Sequence, residues 1–163
     1  MTLSHHAALL RHFADLRDGV HGEARSREDK EKLFARTVEL LDPVARRVLA
    51  DMNTELLLGN GTVAADGPRR GTDGGLVAEW ALTWPAQTDS RVGPVVLRAH
   101  YGRNFHHPHL GGATVGEWPL NVFSAEQAEA ELPILRAIAA ADLHNRVFEA
   151  SYRIIPATVA GQS

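Results

Sequence analysis

Three imidazoles crowd one short stretch of this chain. His106, His107 and His109 fall within four positions, in the run Tyr-Gly-Arg-Asn-Phe-His-His-Pro-His-Leu-Gly-Gly from Tyr101 to Gly112. Imidazole ligates metals and moves protons near neutral pH. Pro108 holds His107 in extended geometry. Residues two apart in an extended chain project to one side. His107 and His109 therefore form a chelating pair, and His106 points away. A stable mononuclear site needs a third ligand. The candidates are His100 on the preceding strand, Glu117 on the following one and His144 on the last helix. Two histidines with Glu117 give a two-histidine, one-carboxylate set that leaves positions for water or substrate. The same three residues can instead act as proton carriers, with Glu117 as base. The structural alternative is a set of loop imidazoles stacked on Phe105 and Tyr101.

The remaining chemistry-bearing residues are more dispersed. His5, His6, His12 and His21 lie on or near the first helix. His12, Asp15, Asp18 and His21 have the composition of a cation site, but a solvated helix face accounts for them more simply. His144 stands near a helix C-terminus, where a cation favours the dipole. Arg98 shares a strand face with His100 and could clamp a carboxylate or phosphate; a solvated outer face is the plainer reading. Gly111 to Gly116 lacks the lysine of a phosphate loop. No Gly-x-Ser-x-Gly or His-Glu-x-x-His element occurs.

Bulk properties narrow the classes. The chain has 163 residues, no cysteine and a formal charge of -3. That length suits one domain able to bury its own core. Without cysteine there are no disulfides, thiolate metal sites or cysteine nucleophiles. Any divalent metal, the one cofactor the sequence suggests, must rest on nitrogen or oxygen. Weak acidity and scattered arginines argue against a nucleic-acid partner. No signal peptide or membrane-length apolar run is legible, so a cytoplasmic protein without a membrane partner is expected.

The elements that must position these side chains follow from periodicity. A helical part occupies about 4–57. Ser4 caps a first helix with Leu9, Phe13, Leu16 and Val20 inward. Ser26 opens a second, which Pro43 should end at Asp42. Asp42 then caps a third, with Val44, Val48 and Met52 on one face. A sheet part spans about 62–123. It has a short strand at Thr62–Ala65, a mobile loop at 66–75, clean alternation over 76–84 and 95–101, and a fourth strand over Thr114–Phe123. Trp80, Trp84 and Trp118 should anchor the core. Ser124 and Gln127 cap a C-terminal helix over about 124–150, with a restart at Pro133. Tyr152–Ile155 reads as a terminal strand, and 156–163 as a frayed tail. The sum is α+β: N-terminal helices, an antiparallel meander of three to four strands, and a C-terminal helix on one face of the sheet.

Two functions from different classes fit this reading. One is a small protein whose histidine cluster binds metal through His107, His109, Glu117 and His100, or does acid–base catalysis through His107, His109 and Glu117. The other is a non-catalytic accessory subunit or adaptor. It would dock on a larger protein, or on a second copy of itself, through the Tyr101–Trp118 segment.

Overall fold

Ser26 starts the longest element. Its side chain accepts from the Asp29 N–H, and helix α2 then runs unbroken from Arg27 to Leu56. The computed structural model describes residues 4–160, apart from the Ser4 side chain. Before α2 comes α1 (Ser4–Asp18); whether Ser4 caps it lies outside the described residues. After α2 the chain forms a five-stranded antiparallel meander, in spatial order β1 (Thr62–Arg70), β2 (Leu76–Thr83), β3 (Val95–Tyr101), β4 (His109–Gly112) and β5 (Trp118–Pro119). A short helix, α3 (Pro85–Asp89), links β2 to β3. Helices α4 (Ala125–Ala130) and α5 (Leu132–Glu149) follow, with Pro133 in the first turn of α5.

Alternation along β2 and β3 divides the sheet into two faces. Trp80 pairs with Leu97, Ala78 with Ala99 and Leu82 with Val95 on the buried face. Phe34, Leu41 and Leu49 of α2 and Leu135 and Ala139 of α5 cover it, in one core cluster. The other face carries charge. Arg69 bonds both Asp66 and Glu79, and Arg98 bonds Glu79 across the next strand pair. Cross-strand opposite charges of this kind stabilise a sheet modestly. His100 and His109, directly opposed in β3 and β4, share that outer face.

Several expectations fail for identifiable reasons. Pro43 does not end the second helix but lies inside α2. A proline there costs roughly 3 kcal/mol. Burying Leu41, Val44, Val48 and Leu49 around it returns about 1.5–3 kcal/mol each. Asp42 is not a cap; it accepts from Arg46 and from the Trp80 indole N–H. The supposed mobile loop shrinks to 71–75. β1 continues to Arg70 through a register shift between Asp66 and Arg69, because a bulge absorbs the irregular Asp66-Gly67-Pro68 stretch. His109–Gly112, expected as loop, is strand β4, and only Trp118–Pro119 of 114–123 pairs with it. Tyr152–Ile154 is a 3₁₀ turn, not a strand, and Pro156–Val159 is helix α6 rather than tail. Burial of Ile154 and Ile155 in the core fixes that end. Trp80 and Trp84 are core residues, whereas Trp118 is half-buried against His5 of α1. Helix α1 turns the other way from its apolar spacing: Phe13 and Leu16 are exposed and His12 is buried.

Candidate functional site

The β3–β4 connection reaches its position through Arg27. Its guanidinium lies 3.6 Å from the Tyr101 ring centroid. It also donates to the carbonyls of Tyr101, Gly102, Arg103 and Phe105. One side chain at the start of α2 thus satisfies four carbonyls of an irregular loop, which would otherwise need water or strand partners. Pro108 is tied down from the other side, its carbonyl accepting from the Leu120 N–H at 3.1 Å. Between these anchors His107 is 1% exposed, while His106 stays in solvent.

The segment between α1 and α2 brings a second group. His21 and Ala24 exchange backbone hydrogen bonds at 2.9 and 3.0 Å, closing a tight turn. Gly22 has φ +59, and a Cβ there would lie 3.0 Å from the Phe123 ring. The turn requires glycine on both counts. It pins the His21 ring in the interior, 4.9 Å from Phe123 by centroids and fully buried. His12 approaches from the buried side of α1.

Four imidazoles meet as a result. Ring centroids are 5.0 Å apart for His12 and His107, 5.6 Å for His12 and His109, and 5.3 Å for His21 and His107. All three pairs are edge-to-face. Among the described residues, six ring nitrogens of this group are buried without a well-aligned hydrogen bond: Nδ1 of His12 and His109, and both nitrogens of His21 and His107. The Asp15 carbonyl does approach the His107 ring, and the His107 carbonyl the His109 ring. An unsatisfied buried polar atom costs about 1–3 kcal/mol, and native interiors hold few of them.

Burial also sets the charge state. It lowers the His21 pKa to about 3, helped by nearby His107, Lys30, Arg11 and His12. It lowers His107 to about 4, with His12, Lys30 and His109 acting in the same direction and the Asp15 carbonyl opposing. Burial lowers His12 against the pull of Asp15, and His109 against the pull of Glu117. His21 and His107 are therefore neutral at pH 7, and a neutral imidazole is a ready ligand.

His107 and His109 both contact His12. His100 and Glu117 form a separate, more exposed pair at 3.2 Å, beside His109 rather than His107. His144 packs on Phe148 at the surface. His12 and His21, assigned from sequence to a solvated helix face, are 7% and 0% exposed. The signal available for them was the mixed face of α1, where His12 recurs at helical spacing from Leu9; nothing in the sequence gave their proximity to His107. Among the described residues, no group of three or more His, Asp or Glu side chains is arranged to hold a metal ion as it stands. Likewise, no described helix is long and apolar enough to cross a membrane.

Comparison with protein-family models, curated proteins and solved structures gives no match.

Proposed function

We propose that the protein binds a divalent transition-metal ion through His12, His21, His107 and His109. The observation that carries this reading is the set of clustered imidazoles whose buried ring nitrogens lack well-aligned hydrogen bonds among the described residues. Two imidazoles on one tetrahedral ion, with metal–nitrogen bonds of about 2.0–2.1 Å, have ring centroids about 5 Å apart. The separations of 5.0, 5.3 and 5.6 Å fall close to that spacing. Rotation of the rings about χ2 is the change that converges their nitrogens, and χ2 of histidine is a soft torsion. An all-imidazole set without thiolate suits zinc, copper, nickel or cobalt over calcium or magnesium. Glu117 then supports the site from outside, through His100 and His109, in place of the direct ligation expected from sequence. Acid–base chemistry on a substrate fits His21 and His107 less well. Both are closed to solvent, and both titrate far below neutrality.

The test is metal content and affinity on protein made without a histidine tag. About one equivalent of a single metal is expected, with a metal-dependent rise in melting temperature, both lost in His21→Leu and His107→Leu. Absence of retained metal after desalting, with no thermal shift on adding zinc, copper, nickel or cobalt, refutes the reading.

A docking role is favoured by a different observation. Leu10, Phe13 and Leu16 of α1 are 68%, 56% and 42% exposed, an apolar stripe with the look of a partner surface. Of the Tyr101–Trp118 segment, by contrast, residues 103–106 form the main exposed stretch.

A further inference from the structure

A cavity of about 500 Å³ adjoins the histidine loop, where Arg25, Arg27, Lys30 and Arg103 meet the rings of Tyr101 and Phe105. Among the described residues, no carboxylate lines it. Arg27 is committed to the loop carbonyls and to Glu31. The other three cations are not so engaged. Among the described residues, neither Arg25, Lys30 nor Arg103 has a carboxylate within ion-pair distance, although Arg25 acts on Asp18 at longer range. The nearby acids are spoken for: Glu31 pairs with Arg27 and Arg70, and Asp73 accepts from the Gly75 and Arg103 backbone N–H groups.

Lys30 is the sharpest feature. The residue is 6% exposed overall, yet its ammonium is not among the buried polar atoms: it opens on the cavity, with no hydrogen-bond or ion-pair partner among the described residues. The apolar stem is buried and the charged head stays at the cavity wall, the usual arrangement for a long cationic side chain. A ligand oxyanion in the cavity supplies that partner. Three uncommitted cations match a dianion better than a single carboxylate, and the arginine fork fits phosphoryl oxygens. Phe105, 49% exposed, offers a flat apolar wall to the rest of a molecule, while the Tyr101 ring lies behind the Arg27 guanidinium.

We infer that this cavity binds the phosphate group of a small organic phosphate, held by Lys30, Arg25 and Arg103. The inference stands apart from metal binding, although the same ammonium lies within electrostatic reach of His21 and His107.

The experiment is calorimetric titration of the full chain with inorganic phosphate and with phenyl phosphate. The protein is first stripped with chelator, so that a bound metal cannot account for phosphate uptake. Ionic strength is held constant with sodium chloride to remove non-specific screening. Saturable binding at one site per chain is expected, tighter for phenyl phosphate. Lys30→Met keeps the apolar stem and Arg103→Gln alters an exposed side chain, so the second keeps the test valid if the first fails to fold. Each should weaken binding at least about tenfold, the equivalent of one charged hydrogen bond. Heat indistinguishable from the chloride control, or binding unchanged in the folded variants, overturns the site. Equal affinity for the two phosphates overturns its assignment to an organic phosphate.

Discussion

Replacing His21 and His107 together by leucine should make the metal-free protein markedly less sensitive to acid. Both imidazoles are buried and have folded pKa values of about 3 and about 4. In the unfolded chain each titrates near the ordinary value of about 6.5. Their folded values are depressed, so below pH 6.5 the unfolded state binds the extra proton. Stability contributed by the neutral rings is complete above pH 6.5 and is lost as pH falls toward 4 and 3. At pH 5 the linkage amounts to about 2 kcal/mol for each ring and about 4 kcal/mol for the pair. That is a large part of the roughly 5–15 kcal/mol by which domains are stable. Glu131 acts in the opposite sense. Burial raises its pKa to about 7, so its contribution grows as pH falls through 7. It is present in both proteins and cancels in their difference. The assay is urea unfolding followed by tryptophan fluorescence at pH 7.5 and pH 5.0, with chelator present. The wild type should lose about 4 kcal/mol more than the double leucine variant between the two conditions. At pH 7.5 the variant should match or exceed the wild type, since it removes four buried nitrogens without well-aligned hydrogen bonds and keeps apolar bulk. Equal acid sensitivity of the two proteins would refute the burial of neutral imidazoles and, with it, the basis for metal binding.

Two further substitutions probe what holds the site in place. Asp142 is fully buried and accepts from the Val96 N–H, the Thr114 N–H and the Thr114 hydroxyl, joining α5 to β3 and to the β4–β5 turn. Asp142→Ala should cost about 3–5 kcal/mol by calorimetry and Asp142→Asn distinctly less, because one acceptor oxygen remains; a cost below about 1 kcal/mol for alanine contradicts this role. Arg27→Met removes the contact with Tyr101 and four carbonyl partners. It should cost about 2 kcal/mol, speed amide exchange over residues 102–106 and weaken metal uptake although Arg27 is no ligand. Unchanged exchange in that loop means another contact positions it.

Local pattern alone carried the reading of β2 and β3. Alternation over Leu76–Thr83 and Val95–Tyr101 identifies strands because a pleated sheet has a period of two whatever it packs against. Capping was similarly legible: Ser26 and Ser124 accept from the N–H groups three residues on, as their side-chain chemistry dictates. The helix restart at Pro133 belongs here too. Elsewhere long-range burial overrode local preference. Pro43 stays helical because the residues around it fill the core. His109–Gly112 becomes a strand because β3 offers an edge to pair with. The sequence by itself determined an α+β chain and drew attention to His107 and His109. Only the tertiary structure brought His12 and His21 to them, across more than eighty intervening residues. The apolar residues of α1 suggested an inward face through Phe13 and Leu16, yet the helix buries His12 instead. A sequence period states which residues share a face; which face turns inward is decided by the surface it meets, and here that surface is another set of imidazoles.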